Sequence, residues 1–543
     1  MLQFQISANL VDIINKEIYP AVVEVVEGKI KSIIRVDDEF DTFIMPGFID
    51  SHIHIESSML PPSEFARLAV VHGTVATVSD PHEIANVLGV DGVKFMIDNG
   101  NSVPFKFNFG APSCVPATGF ETAGAEISAA DIRNLFENYD VRYLSEMMNF
   151  PGVLFDDPMV FEKLNIAKEF AYPIDGHAPG IKNEQTAKYV GAGITTDHEC
   201  TTLDEAIDKI SYGMKILIRE GSAAKNFETL LKLIEARPDM CMLCSDDKHP
   251  DDLAVSHINE LVARTIAKGY DLYKTLQVAI LNPIEHYQLD VGLLRQGDDA
   301  DFIEVNNLKD FSVLKTYVRG ELVAENGNSK IESRTPELIN KFEATIKTPE
   351  DFRIEAKGNK VRVIEALDGE LLTNLLFEKA KVEDGNAVAD TERDILKLAV
   401  VNRYQDVAPA VGFIKNIGLK RGAIASSVGH DSHNITAVGT NDEDLCRAVN
   451  EVIKNRGGMA IADGDAAECL PLPIAGLMSH LDGYEVGRMY ARLNEKAREM
   501  GSELHAPFMT LSFMSLLVIP FIKLSDKGLF DGSKFKFVDL WVE

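Results

Sequence analysis

Eight short β-rich runs between residues 43 and 285 constrain the fold of this chain more than any other feature. They are FIMPGFID, GTVATVSD, KFNFGAPS, VRYLSEM, AYPIDGH, AGITTDH, MKILIREG and DMCMLCSD. Most are followed by an amphipathic stretch, such as ADIRNLFENY or TLDEAIDKISYG. Eight β/α repeats within about 250 residues are what a closed (β/α)₈ barrel requires. An open doubly wound sheet is the rival, but no Gly-rich phosphate loop follows the first strand. We therefore predict an α/β protein built on a TIM-like barrel.

Strand-like alternation on both sides of the barrel predicts a second unit. LVDII, AVVEVVEG and KIKSIIRV alternate near the start, and a similar texture returns in GDDADFIEVNN and LKTYVRGELVAENG. We predict a small β-sandwich formed by residues 1–45 and 286–330, with the barrel at 46–285 inserted between them. A Lys/Glu-rich stretch at 331–360 predicts a linker that contains a helix. Mixed patterning at 361–543 predicts a C-terminal α/β domain.

Charge and composition exclude several classes of function. The 543 residues include 54 Lys and Arg against 84 Asp and Glu, which gives a net charge of −30 and a pI near 4.9. Because a polyanion repels nucleic acid and anionic membranes, we expect neither as a partner. The longest apolar stretch, 508–522, is interrupted by polar residues and is too short to span a membrane. Six cysteines are too few for a disulfide scaffold, and the first twenty residues lack the features of a secretory signal. We expect a cytoplasmic protein.

Side chains that can bind metal close several of the β-rich runs, where barrels of this kind place their active sites. The first run leads into His52 and His54, and alternate residues of a strand point to one side, so two imidazoles can share a metal. Later runs end in Glu146, His177, His198 and Asp246. Each residue alone fits a capping or surface role, but six such groups in one register are not expected by chance. We predict a metal site.

The chemistry of this set indicates two metals. Four imidazoles and two carboxylates suit Mn, Fe(II), Zn or Co and do not choose among them. Six ligands exceed the three or four that are usual for one catalytic zinc. A carboxylate such as Glu146 can bridge two cations, and a bridging hydroxide can then form at neutral pH.

Other motifs do not support a different chemistry. HEIAN at 82–86 has Asn where an HExxH protease motif has its second His, and HIE at 54–56 lacks the PCxxC partner found in small zinc deaminases. Cys241 and Cys244 fall in an apolar run and are interpreted as core residues. HDSH at 430–433 has no companion metal cluster in the sequence, so we favour a structural or pocket-edge role for it.

Taken in order, long motifs in the chain resemble the bacterial adenine deaminases of the amidohydrolase superfamily. They are MPGFIDSHIHIESSM, SDPHEIANVLG, EMMNFPG, DGHAPG, TTDHE, REGSA and CSDDKHPDDL. VGFIKNIGLKRGAIASSVGHDSHNI and LPLPIAGLMS resemble the extra C-terminal domain of that family, so the resemblance covers nearly the whole chain. It implies a metal-dependent barrel flanked by a small β-sandwich. It also implies hydrolysis of adenine to hypoxanthine and ammonia, purine salvage, and two divalent metals, commonly iron or manganese. We further expect a homo-oligomer.

Carried over position by position, the resemblance places the same six strand-end residues on the metal ligands of the family. They are His52, His54, Glu146, His177, His198 and Asp246. Many relatives, including dihydroorotases and hydantoinases, instead bridge their metals with a carboxylated lysine on strand four. Glu146 stands in that place here, and VRYLSEMMNFPG contains no lysine. This difference favours a deaminase over the alternative, a cyclic amide or ureide hydrolase. A non-catalytic scaffold is disfavoured because all six ligands are present.

The expected catalytic residues are Asp246 and Glu146. We expect a hydroxide held between the metals to attack C6 of the purine. Asp246 is the candidate for moving the proton from the hydroxide to the leaving ammonia, with plain metal ligation as the other interpretation. Glu146 is the second candidate, for proton transfer at N1, and bridging the metals is the simpler role for it.

Residues after the second and eighth runs are candidates for contact with the substrate. The predicted substrate-binding residues are Asp80, His82, Glu83 and Asp247. Asp80 equally fits a cap on the helix that follows. His249 is expected to lie just outside the metal ligands and to support them. In REGSA, Arg219 and Ser222 fit either a substrate contact or an ion pair and helix cap.

Overall fold

The computed structural model describes residues 3–222 and 224–542 and places a ring of eight parallel strands at the centre of the molecule. Each strand overlaps one of the eight predicted runs. In chain order, β1 to β8 are Phe48–Ile53, Thr74–Ser79, Lys106–Phe109, Leu144–Met147, Ile174–Gly176, Thr196–Asp197, Lys215–Arg219 and Cys241–Cys244.

Hydrogen bonds between neighbouring strands close the ring. β1, β2 and β3 pair in parallel, as do β4 with β5 and β6 with β7 and β8. Ala111 bridges the end of β3 to Leu144 of β4, and Ile53 of β1 bridges to Asp246 after β8. Thr195 N donates to Ile174 O at 2.9 Å between β5 and β6. The predicted (β/α)₈ fold is confirmed.

Helices surround the barrel strands. Up to β6 they are Pro62–Ala69, His82–Leu88, Val90–Gly100, Ala129–Asn138, Phe150–Leu154, Pro158–Glu169 and Glu184–Gly191. After β6 they are Leu203–Ser211, Phe227–Leu230, Lys232–Ala236, Pro250–Leu253, Ile258–Ala267, Leu272–Leu276 and Asn282–Tyr287. Local sequence fixes several starts: Ser128 and Asp131 form a capping box, and the Thr202 side chain accepts from Glu205 N.

The two segments that flank the barrel share one sheet. Its eight strands, in spatial order, are Asn328–Ser329, Glu321–Glu325, Val313–Val318, Phe302–Val305, Phe43–Pro46, Gln3–Asp12, Glu17–Val26 and Lys29–Arg35. Phe43–Pro46 pairs with strands from both ends and so joins the segments. The two segments that flank the barrel therefore form one β-unit, built as a continuous sheet.

Residues 331–348 run from this sheet to the C-terminal domain without a helix, which corrects the expectation of a helical linker; one 3₁₀ turn follows at Pro349–Phe352. Tertiary contacts take up the polar groups of the segment. Both Glu343 N and Ala344 N donate to Arg403 O, and the Asn340 side chain donates to backbone carbonyls of the C-terminal domain. Phe342 is buried against that domain.

The C-terminal domain is built on a nine-stranded sheet. Along its main path the strands are Thr373–Lys379, Lys360–Ala366, Ala410–Lys415, Ile395–Val401, Ile435–Gly439, Ala423–Ser426, Gly458–Asp463 and Ala466–Pro471, and Trp541–Val542 pairs with Lys360–Ala366. Smaller strands are Ile354–Glu355, Lys381–Glu383, Asn386–Val388, Ile522–Ser525, Gly528–Asp531 and Lys536–Phe537. The helices are Asp442–Lys454, Gly483–Glu499 and Pro507–Ser512.

This domain packs against the loops at the carboxyl ends of the barrel strands. Tyr490 OH lies 2.7 Å from His249 Nδ1 in the loop after β8. Gly483 N donates to the buried carboxylate of Glu64 at 2.9 Å. One apolar core runs through both units. Among the residues described, no helix combines the length and apolar composition needed to cross a membrane.

Candidate metal and substrate site

The carboxyl end of β1 places two imidazoles at the mouth of the barrel. His52 and His54 are 1% and 4% exposed. His54 Nδ1 lies 3.2 Å from Asp80 O, a geometry in which Nδ1–H donates to the carbonyl and Nε2 is left free. His52 Nε2 is buried and has no hydrogen-bond partner among the residues described. Both free nitrogens therefore point at the same space.

Glu146, at the end of β4, lies at the centre of the imidazoles. Its Oε1 is 3.6 Å from His54 Nε2. Its Oε2 is 3.0 Å from His177 Nδ1, 3.1 Å from His198 Nε2 and 4.0 Å from His52 Nε2. With Oε1 toward His54 and Oε2 toward His177 and His198, this carboxylate is placed to bridge two cations.

Asp246, just after β8, completes the set. Its Oδ1 lies 3.5 Å from His52 Nε2 and 3.3 Å from His54 Nε2, and its Oδ2 accepts from Arg219 Nη1 at 2.6 Å. The backbone of Asp246 has φ +56°, in the left-handed region that non-glycine residues rarely adopt. Such conformations cost about 1–3 kcal/mol and collect at functional sites. The structure thus brings together all six residues selected from the strand ends.

The charges of the two carboxylates suit cation binding. Burial disfavours the charged form of Glu146, but His177 and His198 hold its pKa well below the usual range. Burial acts in the same direction on Asp246, and there Arg219 keeps the pKa well below the usual range. Both shifts favour the ionised carboxylate, which is the form that binds a cation.

The donors fit divalent cations. Among the residues described, five groups have ligand atoms within 4.8 Å of one another. They are His52, His54 and Asp246; His52, Glu146 and His198; His177, His198 and Glu199; His54, Asp80, His82 and Glu146; and His82, Glu83 and Asp431. Nitrogen and oxygen donors in this mixture suit divalent first-row metals. Glu146 belongs to two of these groups, which fits two neighbouring cations rather than one.

Glu199 was missed by the sequence reasoning. Its Oε1 lies 3.4 Å from His198 Nε2 and 3.6 Å from His177 Nδ1, and Arg219 holds its carboxylate through both oxygens. Arg219 therefore forms ion pairs with Glu199 and Asp246. Of the two roles that the sequence left open for it, the structure shows the ion pair. The adjacency of Glu199 to His198 in TTDHE was the available signal, but the direction of its side chain depends on Arg219 from another strand.

Of the predicted substrate-binding residues after β2, His82 and Glu83 line the same pocket, and Asp80 lies behind them in contact with His82. His82 Nδ1 lies 3.2 Å from Asp80 Oδ2 and 3.6 Å from Glu146 Oε1. Asp80 Oδ1 also accepts from His82 N at 3.1 Å, at the first residue of the helix, so Asp80 contributes to the helix start as well. Glu83 is 2% exposed, and the pocket lining includes both His82 and Glu83.

The residues after β8 divide between the pocket and its support. Asp247 lines the pocket, and Ser57 Oγ donates to it at 2.5 Å. His249 lies behind the pocket against Tyr490, and burial lowers its pKa to about 4. Ser222 Oγ donates to Asp252 and accepts from His249 N, so it supports the loop. Cys241 and Cys244 are buried free thiols in β8, as interpreted from the sequence.

The C-terminal domain forms the opposite wall of the pocket. Its apolar contribution consists of Leu371, Phe513, Leu516, Val518 and Ile519. From the HDSH segment, His430 and Asp431 also line the pocket, and His430 and His433 contact Glu83. The pocket-edge role favoured for this segment agrees with that placement. No local sequence pattern indicated which barrel residue it would meet.

Comparison with known proteins identifies the class first. The model of the Amidohydrolase family matches residues 43–323, which include the barrel and every residue of the six-membered cluster. The fold, the cluster and this match define the protein as an amidohydrolase. The model of the adenine deaminase C-terminal domain matches residues 370–536.

Full-length relatives identify the family. Adenine deaminases from Sulfurovum sp., Salinibacter ruber and Methanosarcina barkeri are 56%, 54% and 52% identical to this chain. The alignments cover 98%, 99% and 98% of the chain and 99%, 99% and 98% of the respective relatives. The chain belongs to the adenine deaminase family, and the family resemblance drawn from the motifs is confirmed.

Proposed function

We propose that this protein is an enzyme that hydrolyses adenine to hypoxanthine and ammonia. The observation that carries the proposal is that the chain is 56% and 54% identical in sequence to two adenine deaminases. The match extends over nearly the full length of both chains and includes the domain that covers the pocket. The pocket supports it: a buried cluster of imidazoles and carboxylates faces an apolar wall. Such a pocket suits hydrolysis of a flat heterocycle with polar ring nitrogens.

We propose two divalent cations per subunit. His52, His54 and Asp246 would hold one, His177 and His198 the other, and Glu146 would lie between them. When bound, the cations supply the acidification of water that makes a nucleophile available at neutral pH. Mn(II) or Fe(II) is the favoured metal, and Zn(II) or Co(II) fits the same donors.

The reaction requires two proton movements that carboxylates of this chain can perform. Water forms a bond to C6, and one of its protons reaches N1. The second proton passes to the amino group, the C6–N bond breaks, and ammonia leaves. Asp246 is the proposed carrier of the second proton, because it is ionised and lies beside both His52 and His54. Glu146 is the second candidate, for the proton that reaches N1, and a purely bridging role is the simpler one for it.

Substrate binding is assigned to residues of the β2 and β8 loops. Asp80, His82, Glu83 and Asp247 offer carboxylate and imidazole groups for the ring nitrogens and amino group of adenine. The pocket lined by His82, Glu83 and Asp247 lies between the cluster and the apolar wall, so the purine faces would contact Leu516 and Phe513 while its edge meets the polar groups. His177 has an 18% exposed side chain, which marks the more open side of the cluster.

Cyclic amide or ureide hydrolysis is less well supported. Among the residues described, the pocket lining contains no lysine, and Glu146 occupies the central position. For the cell, we propose a cytoplasmic homo-oligomer that acts in purine salvage. At a net charge of −30, neither nucleic acid nor an anionic membrane is proposed as a partner.

A deaminase assay tests the proposed function. Protein loaded with Mn(II) or Fe(II) is mixed with adenine, and the ultraviolet change and ammonia are followed together. Adenosine, hydantoin and dihydroorotate are run in parallel, with a chelator-treated control. We expect adenine turnover that disappears on metal removal. Ring opening of hydantoin or dihydroorotate without adenine turnover would assign the alternative, and no turnover of any substrate by folded, metal-replete protein would refute both.

A further inference from the structure

The carboxylate of Glu83 is held from the C-terminal domain. His430 Nδ1 contacts Oε1 of Glu83, and His433 Nε2 contacts Oε2. All three side chains are buried, with 9% exposure for His430, 0% for His433 and 3% for Glu83. Each oxygen of this barrel carboxylate thus contacts an imidazole nitrogen, and both imidazoles belong to the C-terminal domain.

The protonation of His433 can be read from its second nitrogen. Gly429 N donates to His433 Nδ1 at 3.3 Å, so Nδ1 carries a lone pair. In a neutral imidazole the proton then resides on Nε2, which faces Glu83. Burial lowers the pKa of His433, in agreement with a neutral ring. In this tautomer His433 Nε2 carries the proton beside Oε2 of Glu83 and is available as a donor to it, and this nitrogen has no lone pair with which to bind a cation.

The ring of His430 is held in position by its surroundings. Its ring stacks on Phe513 of the pocket wall, with centroids 5.2 Å apart and planes 21° apart. His430 N donates to Ser512 O at 3.1 Å. These contacts set the plane of the ring and direct Nδ1 at Glu83.

The loop that carries both histidines is itself anchored on the barrel and on its own domain. The Asn434 side chain donates to Thr122 O in the barrel at 3.0 Å, and Tyr404 OH donates to Ser432 O at 2.6 Å. His433 adopts φ +56°, in the left-handed region that non-glycine residues adopt only in special local settings. Anchoring of this kind gives a rigid support rather than a surface loop.

We propose that His430 and His433 are positioning residues for the deamination reaction, and that they hold the Glu83 carboxylate in the orientation in which it meets the substrate. We call the contact of His430 and His433 with the Glu83 carboxylate the clamp. The reaction that the clamp serves rests on the proposed function, but the clamp itself does not. A buried carboxylate without donors would be free to turn or to take up a proton, because burial without partners is costly for a charge. The C-terminal domain would thereby complete the catalytic site of the barrel.

Two matched pairs of variants test the proposal. Gln can place its amide N–H near the position of Nε2 of a histidine, and Met has the same length without a donor. Asn can place its amide N–H near the position of Nδ1, and Leu has a similar size without a donor. We compare His433→Gln with His433→Met, and His430→Asn with His430→Leu. His505→Met, at an exposed position of the same domain, is the control. kcat and KM for adenine, metal content and melting temperature are measured for each.

Loss of a hydrogen bond to a charged group is expected to lower kcat/KM by about 10- to 100-fold in the Met and Leu variants. The Gln and Asn variants should recover most of that loss, while metal content and melting temperature stay equal within each pair. Equal activity within each pair would overturn the proposal, since packing alone would then explain the histidines. So would a loss that follows metal content.

A spectroscopic measurement separates the clamp from the reaction. Imidazole N–H protons that donate to a carboxylate give strongly downfield proton signals, which we expect for both histidines in ¹⁵N-histidine-labelled, zinc-loaded protein. Glu83→Gln should shift both signals, and His433→Gln should remove one. Signals that respond in this way without adenine turnover by the wild type would refute the proposed function and keep the clamp. Adenine turnover with signals that ignore Glu83→Gln would refute the clamp.

Discussion

Replacement of Asp246 by Asn tests the proposed proton transfer, because the two side chains have the same shape but only the carboxylate can accept a proton and pass it on during the reaction. Asp246 Oδ1 faces His52 and His54 at 3.5 and 3.3 Å, and Oδ2 accepts from Arg219 at 2.6 Å. A metal and an arginine both require an acceptor, and an Asn amide has only one. We expect the amide oxygen to stay on the side of the two histidines and the NH₂ group to face Arg219.

Two effects of different size follow. Loss of the charged hydrogen bond to Arg219 should cost about 1.5–3 kcal/mol of stability. The lower end applies because Arg219 keeps its contacts with Glu199. Loss of the proton carrier should lower kcat by about 10²- to 10⁴-fold. A modest loss of folding stability does not lower kcat of the molecules that remain folded, so the two effects can be measured separately.

The assay combines kcat for adenine, metals per chain by plasma mass spectrometry, and thermal unfolding. Asp239→Asn serves as a control, since Asp239 is exposed and lies near the opposite end of β8. We expect the Asp246→Asn variant to keep most of its metal and to lose nearly all turnover. An Asn variant that turns over adenine at close to the wild-type rate would refute proton transfer by Asp246. Loss of metal in parallel with turnover would assign it plain ligation.

Three further outcomes are expected. Glu146→Gln should lower the metal content below that of the wild type, because a neutral amide replaces the carboxylate that faces four imidazoles; full retention of metal on gel filtration would contradict a bridging role. Arg219→Met leaves the buried carboxylates of Glu199 and Asp246 without their cation, and breaking such a pair costs about 3–5 kcal/mol. Its melting temperature should therefore fall more without metal than with metal, and equal falls would contradict this. Burial lowers the pKa of Lys523 to about 7 in the folded protein, against about 10.4 in an unfolded chain, so the unfolded state binds more protons between these values and stability should rise with pH across this window. Lys523→Met should flatten that rise in urea titrations at two pH values.

The barrel and the clustering of the six proposed metal ligands could be predicted from the sequence because both are local signals. A β-rich run shows where a strand lies, and the residue that closes the run lies at the carboxyl edge of the barrel whatever its neighbours are. His52, His54 and Asp246 come from opposite ends of the barrel sequence, yet ring closure makes β1 and β8 neighbours. The positions of the strand ends, together with closure of the ring, were therefore enough to predict that these residues lie close together.

The features that escaped prediction depend on contacts between distant segments. Glu199 turns toward the cluster because Arg219 from β7 holds it there. The Lys/Glu-rich segment after the flanking sheet has a composition that favours helix, but its backbone hydrogen bonds go to Arg403 O and its Phe342 is buried against the C-terminal domain. Tertiary contacts of this kind override local propensity.

The placement of site residues in two domains separates the proposed metal centre from the apolar wall of the pocket. All six residues of the proposed metal centre lie on the barrel, so the proposed activation of water requires no residue of the C-terminal domain. The apolar wall comes from the C-terminal domain, as do the two imidazoles on Glu83. Selectivity among heterocycles should therefore depend on how the two domains meet. Substitutions at Leu516 or Phe513 should change KM and the preference for adenine over adenosine, while the metal content stays that of the wild type.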